Sequence, residues 1–404
     1  MAGSVPTIPG VKAPPPHVQG LRREIARLLK RSSIEFPGSQ PVSFVKDHIA
    51  NNLEKDDYFV CEKSDGIRCL MYLTTTGDAE ATYLIDRKND YYYVQGLHFP
   101  LAGDMRKFHT DCLVDGELVL DTEDDGKTVM KYLVFDSLVI DGKLLTERTL
   151  DKRLGYFREL VYKPYEHLCK TFPEEIEEYF PFLIDFKDME FSYALPKLWN
   201  EIIPNLKHGN DGLIFTSRLT PYIFGTDRNI LKWKPAEENS IDFKLSLRFP
   251  MYEDDEESYI NYDAQPTSLL SVWCGSDVYK PFGELFLEPE EWENLKALDE
   301  PLDERVVECV LDQDKNAWRY LRFRDDKPNA NHVSVVESII QSVKDSVTKE
   351  ELLNANQNIR ESWKQRAREQ EAKRASHRGP ERRQTEDHGE PHDRTGQKRK
   401  VPGD

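Results

Sequence analysis

The sequence KSDGIR, Lys63 to Arg68, joins two apolar runs, YFVCE before it and CLMYL after it. Both runs have the composition of buried strands, and an Asp-Gly pair between strands is typical of a turn. Gly66 allows the backbone to approach a ligand closely. A lysine at the end of such a strand is partly desolvated, which favours the neutral, nucleophilic amine. The segment therefore predicts a lysine nucleophile, with a solvated lysine beside an ordinary turn as the alternative.

The overall composition indicates a soluble protein of two or three domains with a disordered portion. The chain has 404 residues and a net charge of −18, with 32% charged and 38% hydrophobic residues. It has no signal pattern and no apolar run of membrane-spanning length, so we expect no membrane association. The negative charge argues against coating nucleic acid by bulk electrostatics. Residues 364–404 carry a basic excess of four, which leaves −22 on the remainder.

Short motifs exclude several common kinds of site. The six cysteines are scattered and none forms a CxxC pair, so neither a zinc site nor a disulfide framework is expected, which favours an intracellular, reducing compartment. Cys61 and Cys69 lie in apolar runs and are expected in the core. The chain has no Walker A sequence, no GxGxxG and no HExxH, so an ordinary P-loop, dinucleotide or zinc-protease site is not supported.

The first part of the chain is predicted to form one domain, residues 19–236, after a disordered, proline-rich segment at residues 1–18. An amphipathic helix is predicted from Gly20 to Lys30. Strand-like runs separated by turn signals follow from Tyr58 to about Asp141. Helical patterns at Arg148–Lys170 and in PEEIEEYF precede further strands.

The second part is predicted to form a small barrel, residues 237–330, beyond a boundary near Pro235–Asn239. Five short strand patterns suit an oligonucleotide-binding (OB) fold. The acidic run EDDEES, Glu253 to Ser258, reads as a solvated hairpin tip. Residues 331–370 are predicted to be helical and residues 371–404 to be a disordered basic tail. Its QKRKVP run is either a nuclear import signal or solvated tail.

Charged residues interrupt several of the strands. In CLVDGELVL, Asp115 and Glu117 share a face at i, i+2, and could bind a metal or a ribose hydroxyl, or be solvated acids at a tight turn. In DGLIFT, Asp211 precedes an apolar run. In LKWKP, Lys232 and Lys234 point the same way, which suits a phosphate or the exposed face of an edge strand. LRFRDDK holds a similar group that suits phosphate or surface ion pairs: Arg322, Arg324, Asp326 and Lys327.

Taken in order, these motifs resemble one family. KSDGIR is followed by LIDRKNDYYYV, DGELV, YLVFDSLVIDG, DGLIF, LKWKP and WRYLRFRDDK, all within Lys63 to Lys327. The series resembles the eukaryotic mRNA capping enzymes, specifically the stand-alone guanylyltransferases (alpha subunits) of fungal type, within the covalent lysyl-nucleotidyltransferase superfamily. An ATP-dependent polynucleotide ligase, which uses the same lysine chemistry, is the alternative. The Asp that begins DGLIFT, the PYIFGTDRNILKWKP stretch and the RxRxDK form favour a capping enzyme.

The resemblance implies an α+β fold. Its nucleotidyltransferase domain would consist of antiparallel sheets with flanking helices, followed by an OB-fold barrel and C-terminal helices. It also implies the reaction: transfer of GMP from GTP through a covalent lysyl-GMP intermediate to the 5′-diphosphate end of nascent RNA, which forms the GpppN cap and releases pyrophosphate. Mg²⁺ or Mn²⁺ would assist, since both suit carboxylate and phosphate oxygens.

The resemblance assigns roles to individual residues. Lys63 would be the nucleophile, and the cations around it would favour its neutral form. Asp211 would place the metal ion. The residues implied in nucleotide binding are Arg68 and Arg87 (ribose or phosphates), Glu117 (ribose), Phe135 and Ile214 (guanine), Asp211, Lys232 and Lys234 (α-phosphate), and Arg322, Arg324, Asp326 and Lys327 (β- and γ-phosphates, from the barrel).

Partners and location also follow from the resemblance. The chain has no HCxxxxxR segment of the cysteine phosphatases, so a separate RNA triphosphatase subunit is expected. The family docks on the phosphorylated C-terminal tail of RNA polymerase II, which implies a nuclear protein.

Overall fold

The computed structural model describes residues 6–235, 239–253, 258–312 and 315–377. The chain divides into two compact units, Met1–Trp363 and Lys364–Asp404. The first unit holds two large sheets and a barrel, with helices around them. In the second unit the described residues, 364–377, are helical. Helices in the described part of the chain fall short of the length and hydrophobicity that crossing a membrane requires.

Two sheets form the first part of the chain, and each contains one parallel pair among antiparallel ones. The eight-stranded sheet has the order Val11–Lys12, Tyr91–Val94, Ala79–Ile85, Ile67–Thr76, Cys112–Thr122, Thr128–Ile140 and Lys143–Leu144, with Leu183–Phe186 parallel to Thr128–Ile140. The five-stranded sheet has the order Glu190–Phe191, Tyr58–Ser64, Asn210–Ser217, Gly225–Trp233 and Ser39–Ser43, the last two being parallel.

KSDGIR is the crossing from one sheet to the other. Strand Tyr58–Ser64 belongs to the five-stranded sheet, and Ile67–Thr76 belongs to the eight-stranded sheet. The Asp-Gly turn between them therefore does not close a hairpin. A Cβ atom at Gly66 would lie 2.3 Å from the carbonyl oxygen of Leu118, so the close approach that requires glycine is to the neighbouring strand. The expectation that the backbone here also approaches a ligand closely stays a prediction.

Helices cover both faces of the eight-stranded sheet. Helix Pro15–Leu28 contributes Leu21 and Ile25 to the core on one face. The predicted helical region after Arg148 packs on the other face and includes Phe157 and Tyr165. Its elements are Leu150–Phe157, the π-helix Arg158–Tyr162, Lys163–Thr171 and Pro173–Tyr179.

Shorter elements complete the first part of the chain. They are the strand pair Pro100–Leu101 and Asp104–Phe108, the strand-flanking π-helix Ile49–Leu53, and the helical turns Ser192–Ala194, Leu195–Lys197, Leu198–Ile202 and Ile203–Asn205.

The predicted barrel is present and closed. Its five strands follow the order Ser240–Arg248, Thr267–Trp273, Tyr279–Phe286, Ala317–Phe323 and Val306–Asp312. Helix Pro289–Lys296 packs on its core through Trp292 and Leu295. Strands Met251–Glu253 and Ser258–Ile260 pair as a hairpin, and the tip of the predicted acidic loop, residues 254–257, lies outside the described residues. The α+β fold with a terminal barrel is thus confirmed.

The C-terminal helices pack on different parts of the molecule. Helix Val333–Lys344 places Val336 in the barrel core. After a break, helix Lys349–His377 places Leu352 and Ile359 in the core of the five-stranded sheet. The Trp233 indole Nε1 donates to the carbonyl of Val347 over 2.6 Å, which ties this break to the sheet.

The prediction of disorder at residues 1–18 needs correction, because residues 11–12 form a strand and residues 15–18 belong to a helix. Val11–Lys12 pairs antiparallel with Tyr92–Tyr93, and a helix begins at Pro15. Prolines are tolerated in the first helical turn, whose N–H groups have no intrahelical partner. The proline run therefore begins the helix predicted from Gly20. Residues 1–5 and 378–404, with the QKRKVP run, lie outside the described residues.

Candidate active site

A cavity of about 340 Å³ lies between the two sheets. Strands of both sheets line it, since KSDGIR crosses from one to the other beside it. The structure brings eight of the predicted site residues to this cavity: Lys63, Arg68, Arg87, Glu117, Phe135, Ile214, Lys232 and Lys234. A ninth, Asp211, is joined to the cavity by its ion pairs.

Two lysines bind opposite oxygens of one carboxylate. Lys63 Nζ lies 2.6 Å from Asp211 Oδ1, and Lys234 Nζ pairs with the other oxygen, Oδ2. Gly212, at φ +148°, allows this arrangement, because a Cβ atom there would lie 2.1 Å from the carbonyl oxygen of Trp233. The strand carrying Asp211 therefore approaches the strand carrying Lys234 closely.

Lys232 completes this group of cations. Its side chain forms no ion pair with the described residues and faces the cavity. Burial lowers the pKa of Lys232, and the positive charges of Lys234, Lys63 and Arg87 lower it further. The excess of positive charge at this site favours an incoming anion, and it makes the Lys232 ammonium group easier to deprotonate.

A buried polar network, missed in the sequence, supports the strand of Lys63. Lys187 Nζ lies 2.6 Å from Glu62 Oε1 and also donates to Ser64 Oγ. His208 lies between two carboxylates, with Nδ1 2.7 Å from Asp121 and Nε2 3.3 Å from Glu62. Burial raises the pKa of Glu62, but Lys187 and His208 outweigh burial and the net shift is downward. In LIDFKDM, Lys187 directly follows an apolar strand-like run, as Lys63 does in YFVCEK. This shared pattern could have identified Lys187 from the sequence.

Arg68 lines the cavity, and its guanidinium is fixed by hydrogen bonds to a neighbouring carboxylate. Its Nε and Nη2 donate to the two oxygens of Asp115 over 3.0 and 2.6 Å. Tyr222 Oη donates to Asp115 over 2.6 Å. Asp115 is fully buried in a continuous strand, Cys112–Thr122, so the alternative of solvated acids at a tight turn is wrong.

An apolar slot lies across the same cavity. Phe135 falls at a break in strand register between Val134 and Asp136, and such a bulge re-aims a side chain. The Arg68 guanidinium lies 5.4 Å from the centre of the Phe135 ring. Ile214 lines the cavity from the other sheet. The two residues thus offer an aromatic and an aliphatic wall of the kind that binds a planar ring.

Glu117 is the cavity carboxylate that forms no hydrogen bond or ion pair with the described residues. Burial raises its pKa, and Lys187, Lys63, Arg87 and Arg68 oppose that shift. Its oxygens are therefore available to a hydroxyl donor or a hard cation.

The barrel residues predicted at the site are not part of this cavity. Arg324 Nη1 lies 3.2 Å from Asp242, and Lys327 pairs with the same carboxylate. Arg322 Nε lies 2.6 Å from Glu308, and Arg324 also pairs with Asp326 over 2.8 Å. In the described structure these residues are neutralised by carboxylates of their own domain.

Comparisons with known proteins agree with this architecture. The model of the mRNA capping enzyme catalytic domain matches residues 4–236, and that of the mRNA capping enzyme C-terminal domain matches residues 238–353. Among solved structures, a mycobacterial DNA ligase D complexed with ATP and MES is 14% identical with a TM-score of 0.34, over 72% of this chain and 95% of that chain.

Curated relatives are much more similar. The mRNA-capping enzyme subunit alpha of Yarrowia lipolytica is 49% identical over 91% of this chain and 94% of its own length. That of Schizosaccharomyces pombe is 49% identical over 91% of both chains. That of Saccharomyces cerevisiae is 40% identical over 89% of this chain and 87% of its own length. The chain therefore belongs to the mRNA capping enzyme family.

Proposed function

We propose that Lys63 is the residue through which this mRNA guanylyltransferase carries GMP from GTP to RNA. One observation carries the assignment: Lys63 lines the cavity between the two sheets and is paired to Asp211, with Lys232 and Lys234 beside it. The enzyme transfers GMP to the 5′-diphosphate end of nascent RNA and releases pyrophosphate. The reaction is a pair of phosphoryl transfers, in which positioning and charge stabilisation supply most of the catalysis.

In the first step, the amine of Lys63 attacks the α-phosphorus of GTP. A P–N bond forms, the P–O bond to the β-phosphate breaks, and pyrophosphate leaves with the electron pair. Lys63 must lose its proton first, because only the neutral amine is a nucleophile. Lys232 and Lys234 hold the α-phosphate oxygens as negative charge builds on them.

The nucleoside is placed by the opposite wall of the cavity. Guanine lies in the slot between Phe135 and Ile214, and the ribose lies against Glu117. Arg68 and Arg87 complete the contacts to ribose and phosphate. These roles are supported by the lining of the cavity, which includes all five residues.

A divalent ion fits this donor set. Carboxylate oxygens suit Mg²⁺ and Mn²⁺. Asp211, with phosphate oxygens of GTP, would hold the ion, and Glu117 offers a second carboxylate without a protein partner. When bound, the ion would neutralise phosphate charge. Lys63 and Lys234 each contact one oxygen of Asp211 in this structure, and each carboxylate oxygen keeps a further lone pair that could bind a cation.

The barrel is proposed to close over the β- and γ-phosphates. Arg322, Arg324 and Lys327 would exchange their pairs within the barrel for the phosphates. Asp326 would move with them, and their motion would orient pyrophosphate for departure. We propose the corresponding division of the chain into a nucleotidyltransferase domain, an OB-fold domain, residues 237–330, and a helical segment from residue 331. The first domain, predicted for residues 19–236, also takes in the strand Val11–Lys12 and the start of helix Pro15–Leu28.

Partners are proposed from the family. The relatives are named as alpha subunits, so a partner subunit is expected. We propose that it is the RNA triphosphatase that produces the 5′-diphosphate acceptor. A nuclear location and docking on the phosphorylated tail of RNA polymerase II complete the proposal.

The test is covalent labelling. Wild-type protein incubated with α-labelled GTP and Mg²⁺ should retain label after denaturation. Lys63→Ala and Lys63→Arg should not, whereas Lys88→Ala, at an exposed turn, should label normally. Labelling by ATP instead of GTP would indicate a ligase, and undiminished labelling of Lys63→Ala would exclude Lys63 as the carrier.

A further inference from the structure

A second cavity, of about 470 Å³, adjoins the first through the lysine pair. Lys232 and Lys234 line both cavities. The remaining wall comes from strand Ser39–Ser43, from the start of the barrel and from helix Val333–Lys344. Its volume is within the range of about 300–1,000 Å³ that small-ligand sites occupy. The same two cations can therefore reach a group in either cavity.

The lining of the second cavity suits an anion. Five of its eleven residues are serines, and none of those in the described part of the chain is a carboxylate. This is unusual in a chain with 73 Asp and Glu among 404 residues. Serine hydroxyls and lysine ammonium groups are donors that phosphate oxygens accept. The serines are Ser43, Ser240, Ser334, Ser338 and Ser346.

We propose that this second cavity binds the 5′-diphosphate end of the acceptor RNA. The inference rests on the proposed function of Lys63. This assignment explains why Lys232 and Lys234 line both cavities. They would hold the α-phosphate of lysyl-GMP from one side and the acceptor phosphates from the other. The acceptor would then approach the α-phosphorus from a cavity separate from the guanine slot, so both substrates fit at once.

The transfer step follows from this placement. An oxygen of the terminal RNA phosphate forms a P–O bond with the α-phosphorus. The P–N bond to Lys63 breaks, the nitrogen keeps the electron pair, and it takes a proton from solvent to restore the lysine. Lys232 and Lys234 offset the repulsion between the two phosphate groups.

A charge placed in the second cavity tests the proposal. Ser338 has an exposed side chain on helix Val333–Lys344 and lines the cavity. Ser338→Glu should form lysyl-GMP from GTP within about twofold of wild type, while transfer to 5′-diphosphate RNA falls at least about tenfold through a raised KM, because like charges repel. Ser338→Arg should lower that KM. Gln341→Glu adds the same charge to the same helix outside the cavity and is the matched control.

Thermal unfolding confirms that each variant is folded. The transfer and labelling rates then distinguish an acceptor site from a GTP site. Equal transfer by Ser338→Glu and Gln341→Glu would overturn the acceptor site. Loss of lysyl-GMP formation in folded Ser338→Glu would also overturn it and assign the cavity to GTP. Failure of wild-type protein to label with GTP would instead overturn the proposed function on which the inference rests.

Discussion

Lys63 and Lys234 donate to opposite oxygens of one carboxylate, so Asp211 joins the proposed nucleophile to a proposed phosphate ligand. Lys63 Nζ lies 2.6 Å from Oδ1, and Lys234 pairs with Oδ2. The pKa of Asp211 is lowered overall: burial raises it, but hydrogen bonds from Lys234 and Lys63 prevail. The carboxylate therefore keeps its charge and fixes both amines until phosphate competes for them.

Asp211→Asn should greatly reduce covalent labelling. The variant leaves Lys63 and Lys234 without their shared counterion and misplaces Lys63 Nζ. We therefore expect labelling with GTP to fall roughly 100-fold, the order seen when one positioned polar group is removed from an active site. The rate of label formation under single-turnover conditions measures it. Asp78→Asn, at an exposed turn, is the control. Wild-type labelling by Asp211→Asn would show that neither lysine depends on this carboxylate.

Phe135→Ala should weaken GTP binding more than it slows chemistry. The ring is proposed to stack on guanine, and losing stacking of about 0.5–1.5 kcal/mol together with buried area should raise KM about tenfold. Phe135→Tyr keeps the aromatic wall and should retain near-normal KM. The comparison requires labelling rates over a range of GTP concentrations. A fall in the saturated rate with unchanged KM would contradict the slot.

Gly66→Ala should destabilise the fold. The added Cβ atom would lie 2.3 Å from the carbonyl oxygen of Leu118, a backbone group that cannot rotate away. We expect the free energy of unfolding to fall by about 1–3 kcal/mol, the usual cost of overpacking. Urea denaturation measures it. Gly283→Ala is the control, because a Cβ atom there meets no atom within 4 Å. Equal stability of the two variants would show that the crossing relaxes easily.

His208 should make stability depend on pH. Burial lowers its pKa, but hydrogen bonds to Asp121 and Glu62 outweigh burial, so the folded pKa lies above the ordinary 6.5. A raised folded pKa means that the stabilisation is complete below about pH 6.5 and is lost as pH rises through the folded value.

The corresponding measurement compares wild type with His208→Gln by thermal unfolding between about pH 6 and pH 9. The difference in Tm should be largest at the acidic end and shrink toward the alkaline end, since only the protonated imidazole is stabilised by both carboxylates. A difference that is constant across this range would mean that His208 does not change its protonation state there, which would contradict the prediction.

Secondary-structure elements could be predicted from the sequence where a local pattern of apolar residues determines a single helix or strand. The five barrel strands and the helices after Arg148 follow from alternation and helical spacing. It could not show that KSDGIR changes sheets, because a strand–turn–strand pattern is the same for a hairpin and for a crossing. It also missed the pairing of Lys187 with Glu62 and the contact of Tyr222 with Asp115, since such contacts depend on strand neighbours far apart in the chain.

The packing of the last helix has a consequence for how the protein is made. Leu352 and Ile359 fill the core beneath the five-stranded sheet, together with residues such as Leu213 and Leu231. On the ribosome, the sheet that carries Lys63 is therefore complete in sequence well before its core can be filled. The whole barrel must be synthesised first. A chain interrupted within the barrel would expose that apolar surface, so we expect an active enzyme to arise only from a chain translated through Ile359.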